Sequence, residues 1–324
     1  MGVNRLSFID IEIDNNNSNV IDIDLVEKFN PYHDKKTGRF TTAENATVFT
    51  IRTKDPKKQY LADRGIEREK KRTAEAGGAG AKYSQSMEQA YGPEKIAEMN
   101  KLLKDSPEFI QTFWNNHSGS VQVGETDRGR TANYNPTKET INLNIERDAK
   151  GSEHKTPYET TFHESAHAMD YAIGKQSGMY YKQISTEYRN GLFEETLKKE
   201  ADTYIKNHQK KLAAERGQKV SIQAARDDLG SIMRREGTIS TGDVSDMLEG
   251  ATKGKFMGSA GHGKAYWTGH NTYWGKTPGH SVATEAFAEM FSASITNKAS
   301  LAKIKEVFPE SYSLFQEMIE GVQV

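Results

Sequence analysis

His163 and His167 stand four residues apart in the run Phe162-His163-Glu164-Ser165-Ala166-His167-Ala168-Met169. No other feature constrains the fold as strongly. A helix places positions i and i+4 on one face, with Cβ atoms about 5–6 Å apart. Two imidazoles so placed can close on one zinc ion with bonds of about 2.0–2.1 Å. Phe162, Ala166 and Met169 give the same segment an apolar side, and the pattern predicts a helix from about Tyr158 to Ile173. Glu164 follows the first histidine directly, so it can lean over the metal and take a proton from bound water, whose pKa a zinc ion lowers toward ~7. The chain has no cysteine, so any zinc must be held by histidine and carboxylate.

A catalytic zinc needs a third protein ligand and one open position. Asp170, three residues past His167 on the same face, is expected to support a histidine or the helix from behind. Glu285 is the stronger candidate ligand. It lies in Thr284-Glu285-Ala286-Phe287-Ala288-Glu289-Met290-Phe291, which reads as a helix starting near Val282. Glu289 falls on the same face as Glu285, the alanines allow close approach, and Phe287 and Met290 anchor the apolar side. The plainer alternative is an amphipathic helix with two solvated glutamates. Between the two helices lie His262, Tyr266, Tyr273 and His280. Tyr266 and Tyr273 are equal candidates for stabilising an oxyanion, and His262 is an alternative metal ligand.

The rest of the chain sets the frame. Lysine and arginine (44) balance aspartate and glutamate (45), which gives no basic excess for nucleic-acid binding. No apolar run reaches the ~20 residues of a membrane span, and the first residues lack the apolar core of a signal peptide. Ile9, Ile11 and Ile13, then Ile21, Ile23 and Leu25, alternate with acidic residues across Asn15 to Asn19, the pattern of an acidic β-hairpin. Ala46 to Thr53 reads as a further strand. Residues 55 to 75 are rich in charge and are followed by Gly77-Gly78-Ala79-Gly80. These features divide the chain into an arm (1–80) and a domain (81–324) with a helical insertion at about 180–240. In the domain, helices are expected from Pro93 to about Lys104 and from Pro107 to about Asn115, with a strand at Ser120 to Val123. Asn133 to Ile145 reads as a hairpin turning at Asn135-Pro136-Thr137-Lys138. Its second arm, Ile141, Asn142, Leu143, Asn144 and Ile145, is expected to be an edge strand that pairs with an extended substrate. Glycine-rich loops are expected up to Gly279, and one terminal helix closes the chain.

The run from His163 to Asp170, followed by Glu285-Ala286-Phe287-Ala288-Glu289, resembles the peptidase domain of anthrax lethal factor and its relatives. The resemblance implies His163, His167 and Glu285 as zinc ligands, Glu164 as general base and Glu289 behind the ligands. It departs from that family at one point, since Pro278 stands where a tyrosine is expected, which leaves the oxyanion role to Tyr266 or Tyr273. A second resemblance is to phage minor head proteins and the accessory proteins encoded beside them. It rests on Phe29 to Phe40 and on Asp246 to Trp267, with Gly250-Ala251-Thr252-Lys253-Gly254 and Gly261-His262-Gly263-Lys264-Ala265-Tyr266-Trp267. Together the similarities cover about half the chain.

The expectation is therefore an α+β, zincin-like zinc endopeptidase acting on a protein or peptide. It would be phage-encoded and found in a virion or the bacterial host cytoplasm, with the arm docking on a virion subunit. The rivals are an enzyme that cleaves peptidoglycan cross-links and a head accessory protein whose zinc only staples the fold. The intact Glu164 argues against the last, since a closed structural site needs no base.

Overall fold

Helices carry most of the described residues, and the reason lies in their apolar spacing. The computed structural model describes residues 83–127, 129, 131–176, 183–262, 273–275 and 280–322, together with four short strands nearer the N-terminus. By its internal contacts the chain divides into residues 1–80 with 323–324, and residues 81–322.

In the first unit, β1 (Val20–Asp22) pairs in parallel with β4 (Thr50–Arg52), and β2 (Tyr32–His33) pairs antiparallel with β3 (Thr47–Val48). The first half of the expected acidic hairpin, Ile9 to Asp14, lies outside the described residues.

The second unit opens with α1 (Gln85–Lys104), capped by the Ser84 side chain on Met87 N and broken at Gly92, whose φ of +69° suits glycine ahead of Pro93. Next come α2 (Glu108–His117) and a small mixed sheet. The sheet consists of β5 (Gln122–Val123), β6 (Asn133–Asn135) and β7 (Thr140–Asn142) in the order β5-β7-β6, parallel on the first side and antiparallel on the second.

This order corrects the edge-strand expectation. Ile141 and Asn142 lie in the central strand, with both sides paired. Leu143 continues toward the β5 side, its N–H donating to Glu125 O at 3.0 Å, and Asn144 bridges to Asp127. Ile145 is not in a strand at all. It opens α3 (Ile145–Lys150), because the Asn144 side chain accepts from Arg147 N and caps the turn. Nor does Asn142 face solvent. Its side-chain oxygen accepts from Glu125 N at 3.0 Å and its amide reaches Asn133 Oδ1 at 3.3 Å, so the residue is buried.

The metal-helix candidate is α4 (Glu159–Gln176). Its N-terminus is capped from a distance, with Asp148 accepting from Thr160 N (3.1 Å) and from Thr161 N (2.8 Å). After it come α5 (Ile184–Glu187), α6 (Leu192–Arg216), α7 (Ile222–Glu236) and α8 (Thr238–Ala251). Helix α8 stands where glycine-rich loops were expected. Its glycines serve close approach instead: a Cβ on Gly250 would sit 2.7 Å from the Trp274 ring. The chain ends in α9 (Val282–Thr296), α10 (Lys298–Val307) and α11 (Pro309–Gly321), two terminal helices rather than one.

Helices α4 and α9 lie against each other over an aromatic floor. Trp114 meets Phe162 edge-on at 5.1 Å and stacks on Phe291 at 6.2 Å, while Phe113 meets Phe291 at 5.6 Å and Phe287 meets Phe315 at 5.4 Å. These rings are fully buried, and truncating one such ring typically costs about 3–5 kcal/mol. The architecture is mostly helical with one three-stranded mixed sheet, compatible with an α+β class. Among the described residues, no helix is long and apolar enough to cross a membrane.

Candidate metal centre

Phe287 and Phe291 point α9 into the floor, so the opposite face, bearing Glu285 and Glu289, turns to α4. On α4, burial of Phe162, Ala166 and Met169 likewise turns His163 and His167 toward α9. The three ligand atoms expected from the sequence converge. His163 Nε2 and His167 Nε2 are 3.1 Å apart, and each lies 3.4 Å from Glu285 Oε2. A tetrahedral ion with bonds of about 2.0–2.1 Å holds its ligand atoms about 3.3–3.4 Å apart. Glu285 Oε2 is moreover a buried acceptor with no hydrogen-bond donor, on a side chain only 2% exposed. A buried carboxylate oxygen facing two imidazole nitrogens fits a cation between them.

The surroundings brace each of these groups. Glu289 Oε2 lies 3.4 Å from His163 Nδ1, behind the ring. Tyr273 donates its hydroxyl to Glu285 Oε1, the oxygen that does not face the histidines. The Tyr273 ring is sandwiched, stacked on His280 at 4.0 Å and on His262 at 4.9 Å. Asp170 is buried at the other end of the helix turn and accepts from Ser185 N (2.9 Å) and Ser185 Oγ (2.5 Å), tying α4 to α5. Glu164 is buried on α4, and its charge is felt at Tyr273. Tyr266 lies outside the described residues.

Helix α8 contributes residues that the sequence reading did not single out as site residues. Asp246, buried, sits 2.8 Å from His262 Nδ1, and His262 Nε2 lies 3.9 Å from Glu285 Oε2. Ligand atoms of His163, His262 and Glu285 all lie within 4.8 Å of one another, so a metal-holding group can also be drawn through His262. The set containing His167 is the tighter one and matches a tetrahedral edge. One turn earlier, Asp243 accepts from Ser300 Oγ at 2.6 Å. The available signal was Asp243, Asp246 and Glu249 at three-residue spacing among Val244, Met247 and Leu248. That is a helical face of acids beside a helical face of apolar residues.

The electrostatics follow from burying opposite charges together. Burial pushes the His163 pKa down, but the carboxylates of Glu289 and Glu285 outweigh it and leave the pKa well above the usual imidazole value. Burial raises the Glu285 pKa, but His262 and His167 outweigh this and hold it well below the usual carboxylate value. Glu289 is drawn down to about 2, its burial overcome by His163. For His262, burial is likewise overcome by Asp246 and Glu285, and its pKa rises to about 10. Asp243 is raised well above its usual value by burial and by the charge of Glu289. Burial and the Glu285 charge raise the Tyr273 phenol, so it stays a donor.

In comparisons with known proteins, the chain matches no family model, no curated protein and no solved structure.

Proposed function

We propose that this chain is a zinc-dependent endopeptidase, built on a zincin-like domain, that hydrolyses peptide bonds. The observation that carries the reading is the triangle of His163 Nε2, His167 Nε2 and Glu285 Oε2, with sides of 3.1, 3.4 and 3.4 Å, together with Glu164, which directly follows His163 and is buried on the same helix. A zinc ion bound there would supply an acidified water and polarise the scissile carbonyl. Glu164 accepts the proton from the attacking water and passes it to the leaving amine. Glu289 braces His163 from behind. Tyr273, through Glu285 Oε1, keeps Oε2 turned toward the two histidines. The substrate is a protein or peptide. The resemblance of Phe29 to Phe40 to a phage head-protein linker supports a virion-associated role, with residues 1–80 docking on a virion subunit.

Glu164→Gln keeps size and hydrogen bonding but removes the base. The purified variant should retain about one zinc per chain and lose casein cleavage by 10²–10⁴-fold, the usual contribution of general-base catalysis. Full cleavage by Glu164→Gln would refute the mechanism.

A second reading is a metal that only fastens α4 to α9. The Asp246–His262 pair beside the triangle favours it, because a further imidazole could close the coordination sphere. Under that reading the wild type binds zinc and cleaves nothing.

A further inference from the structure

We propose that His262 is a fourth protein ligand of the metal, aimed by Asp246, and that it must leave before a water can bind. This rests on the reading that His163, His167 and Glu285 hold a divalent metal. It adds a resting state in which that site is closed by four protein atoms.

The geometry of the ring carries the inference. Asp246 Oδ1 lies 2.8 Å from His262 Nδ1. The contact is an ion pair in which Asp246 Oδ1 accepts no well-aligned hydrogen bond. By holding Nδ1 on the acid's side it leaves Nε2 on the opposite side of the ring, where a metal-binding histidine presents its ligand atom. That Nε2 is 3.9 Å from Glu285 Oε2, the buried oxygen that has no hydrogen-bond donor. An imidazole nitrogen and a carboxylate oxygen at that separation leave room for a cation between them. The separation exceeds a tetrahedral edge by only about half an ångström. The ring plane is fixed as well, stacked on Tyr273 at 4.9 Å and nearly parallel to His163 at 17°.

Asp246 itself is hard to explain otherwise. It is buried on α8, where a carboxylate is costly without a partner. Its partner is a histidine outside any described helix, 37% exposed against 9% for His163 and 13% for His167. A ligand that is held by one ion-pair partner and is more exposed than its companions is the one that can exchange. With His262 in place, no position is left for water, since a structural site is closed where a catalytic one keeps a vacancy. Hydrolysis would then be gated by the departure of His262, so this pair regulates the proposed activity.

X-ray absorption on the full chain loaded with Zn²⁺ counts the imidazoles directly. Three per zinc are expected in the wild type and two in His262→Phe, which keeps the ring stack on Tyr273 but removes the nitrogen. Chelator competition should give a zinc affinity about 10–100-fold weaker in Asp246→Asn, the usual loss when a ligand's supporting carboxylate is removed. His262→Phe should lose at least as much. Two imidazoles per zinc in the wild type would overturn the proposal, and that measurement needs no variant to fold. Unchanged affinity in His262→Phe would overturn it too. His163→Ala and Glu285→Ala keep the two claims apart. If they abolish binding while His262→Phe leaves it intact, only the fourth ligand is wrong. If they also bind zinc normally, the metal centre itself is wrong.

Discussion

Glu289 Oε2 lies 3.4 Å from Nδ1 of His163 while the Nε2 of the same ring faces Glu285. One imidazole thus spans two carboxylates one helical turn apart on α9. The first can share a metal with the ring, and the second can only orient it. Glu289→Gln should therefore weaken zinc binding by about 10–100-fold, whereas Glu285→Ala should abolish it along with proteolysis. Equal losses in the two variants, measured by competition with a chelator, would make Glu289 a ligand.

Gly250 offers a test in which two effects of opposite sign compete. An alanine in an open helical position stabilises by about 1 kcal/mol over glycine. Here the new Cβ would stand 2.7 Å from Trp274 Cζ3 and 3.0 Å from Val282 Cγ2, and overpacking typically costs about 1–3 kcal/mol. Gly250→Ala should lower the thermal midpoint and alter tryptophan fluorescence, because Trp274 must move and it adjoins Tyr273. A raised midpoint would mean that Trp274 does not press on α8.

Asp170 gives a pH dependence of definite sign. Burial raises its pKa to about 6, even though hydrogen bonds from Ser185 pull it down. The ordinary value is about 3.9. A carboxyl group whose pKa is raised on folding contributes stability below the unfolded value, and this is lost as pH climbs through about 6. At one pKa unit per 1.36 kcal/mol, the loss is on the order of 2–3 kcal/mol. Asp170→Asn keeps the shape and an acceptor for Ser185 N but cannot ionise. Its midpoint relative to wild type should rise between pH 4 and pH 7.5, and a flat difference across that range would count against the assignment.

The two helices that form the candidate site were legible because their signals are local. Histidines at i and i+4, glutamates at i and i+4, and apolar residues on the opposite faces set both helix and orientation, and Glu285, the candidate preferred over two solvated glutamates, lies 3.4 Å from both histidines. The sheet was misread because pairing order depends on partners distant in sequence. Nothing within Ile141 to Ile145 says that Gln122–Val123 will take one side and Asn133–Asn135 the other. Helix α8 was missed because glycine-rich loops were expected up to Gly279, when Gly250 in fact makes room for a ring that arrives 24 residues later in the chain. Asp246 and Asp243 were overlooked with it. A buried acid is visible in sequence only once its helix is recognised, and its partner, His262, was considered without a reason for its orientation.

Metal removal should expose the protons that stand in for the cation. In the metal-free chain the pKa values of His163 and His262 lie above the usual imidazole value, the latter at about 10. Their contribution to stability is present below the unfolded value of about 6.5 and fades as pH rises through the folded one. The metal-free protein should therefore lose stability from pH 6 to pH 9. Zinc needs the imidazoles deprotonated, so its binding releases protons and strengthens as pH rises. Binding to the native state alone stabilises it by about 2.7 kcal/mol at a hundredfold excess over Kd. The gain in thermal midpoint on adding Zn²⁺ should thus widen steadily from pH 5.5 to pH 8. The same series in Glu285→Ala should show no zinc-dependent gain. A gain that is independent of pH, or one that survives in Glu285→Ala, would place the bound metal somewhere other than between α4 and α9.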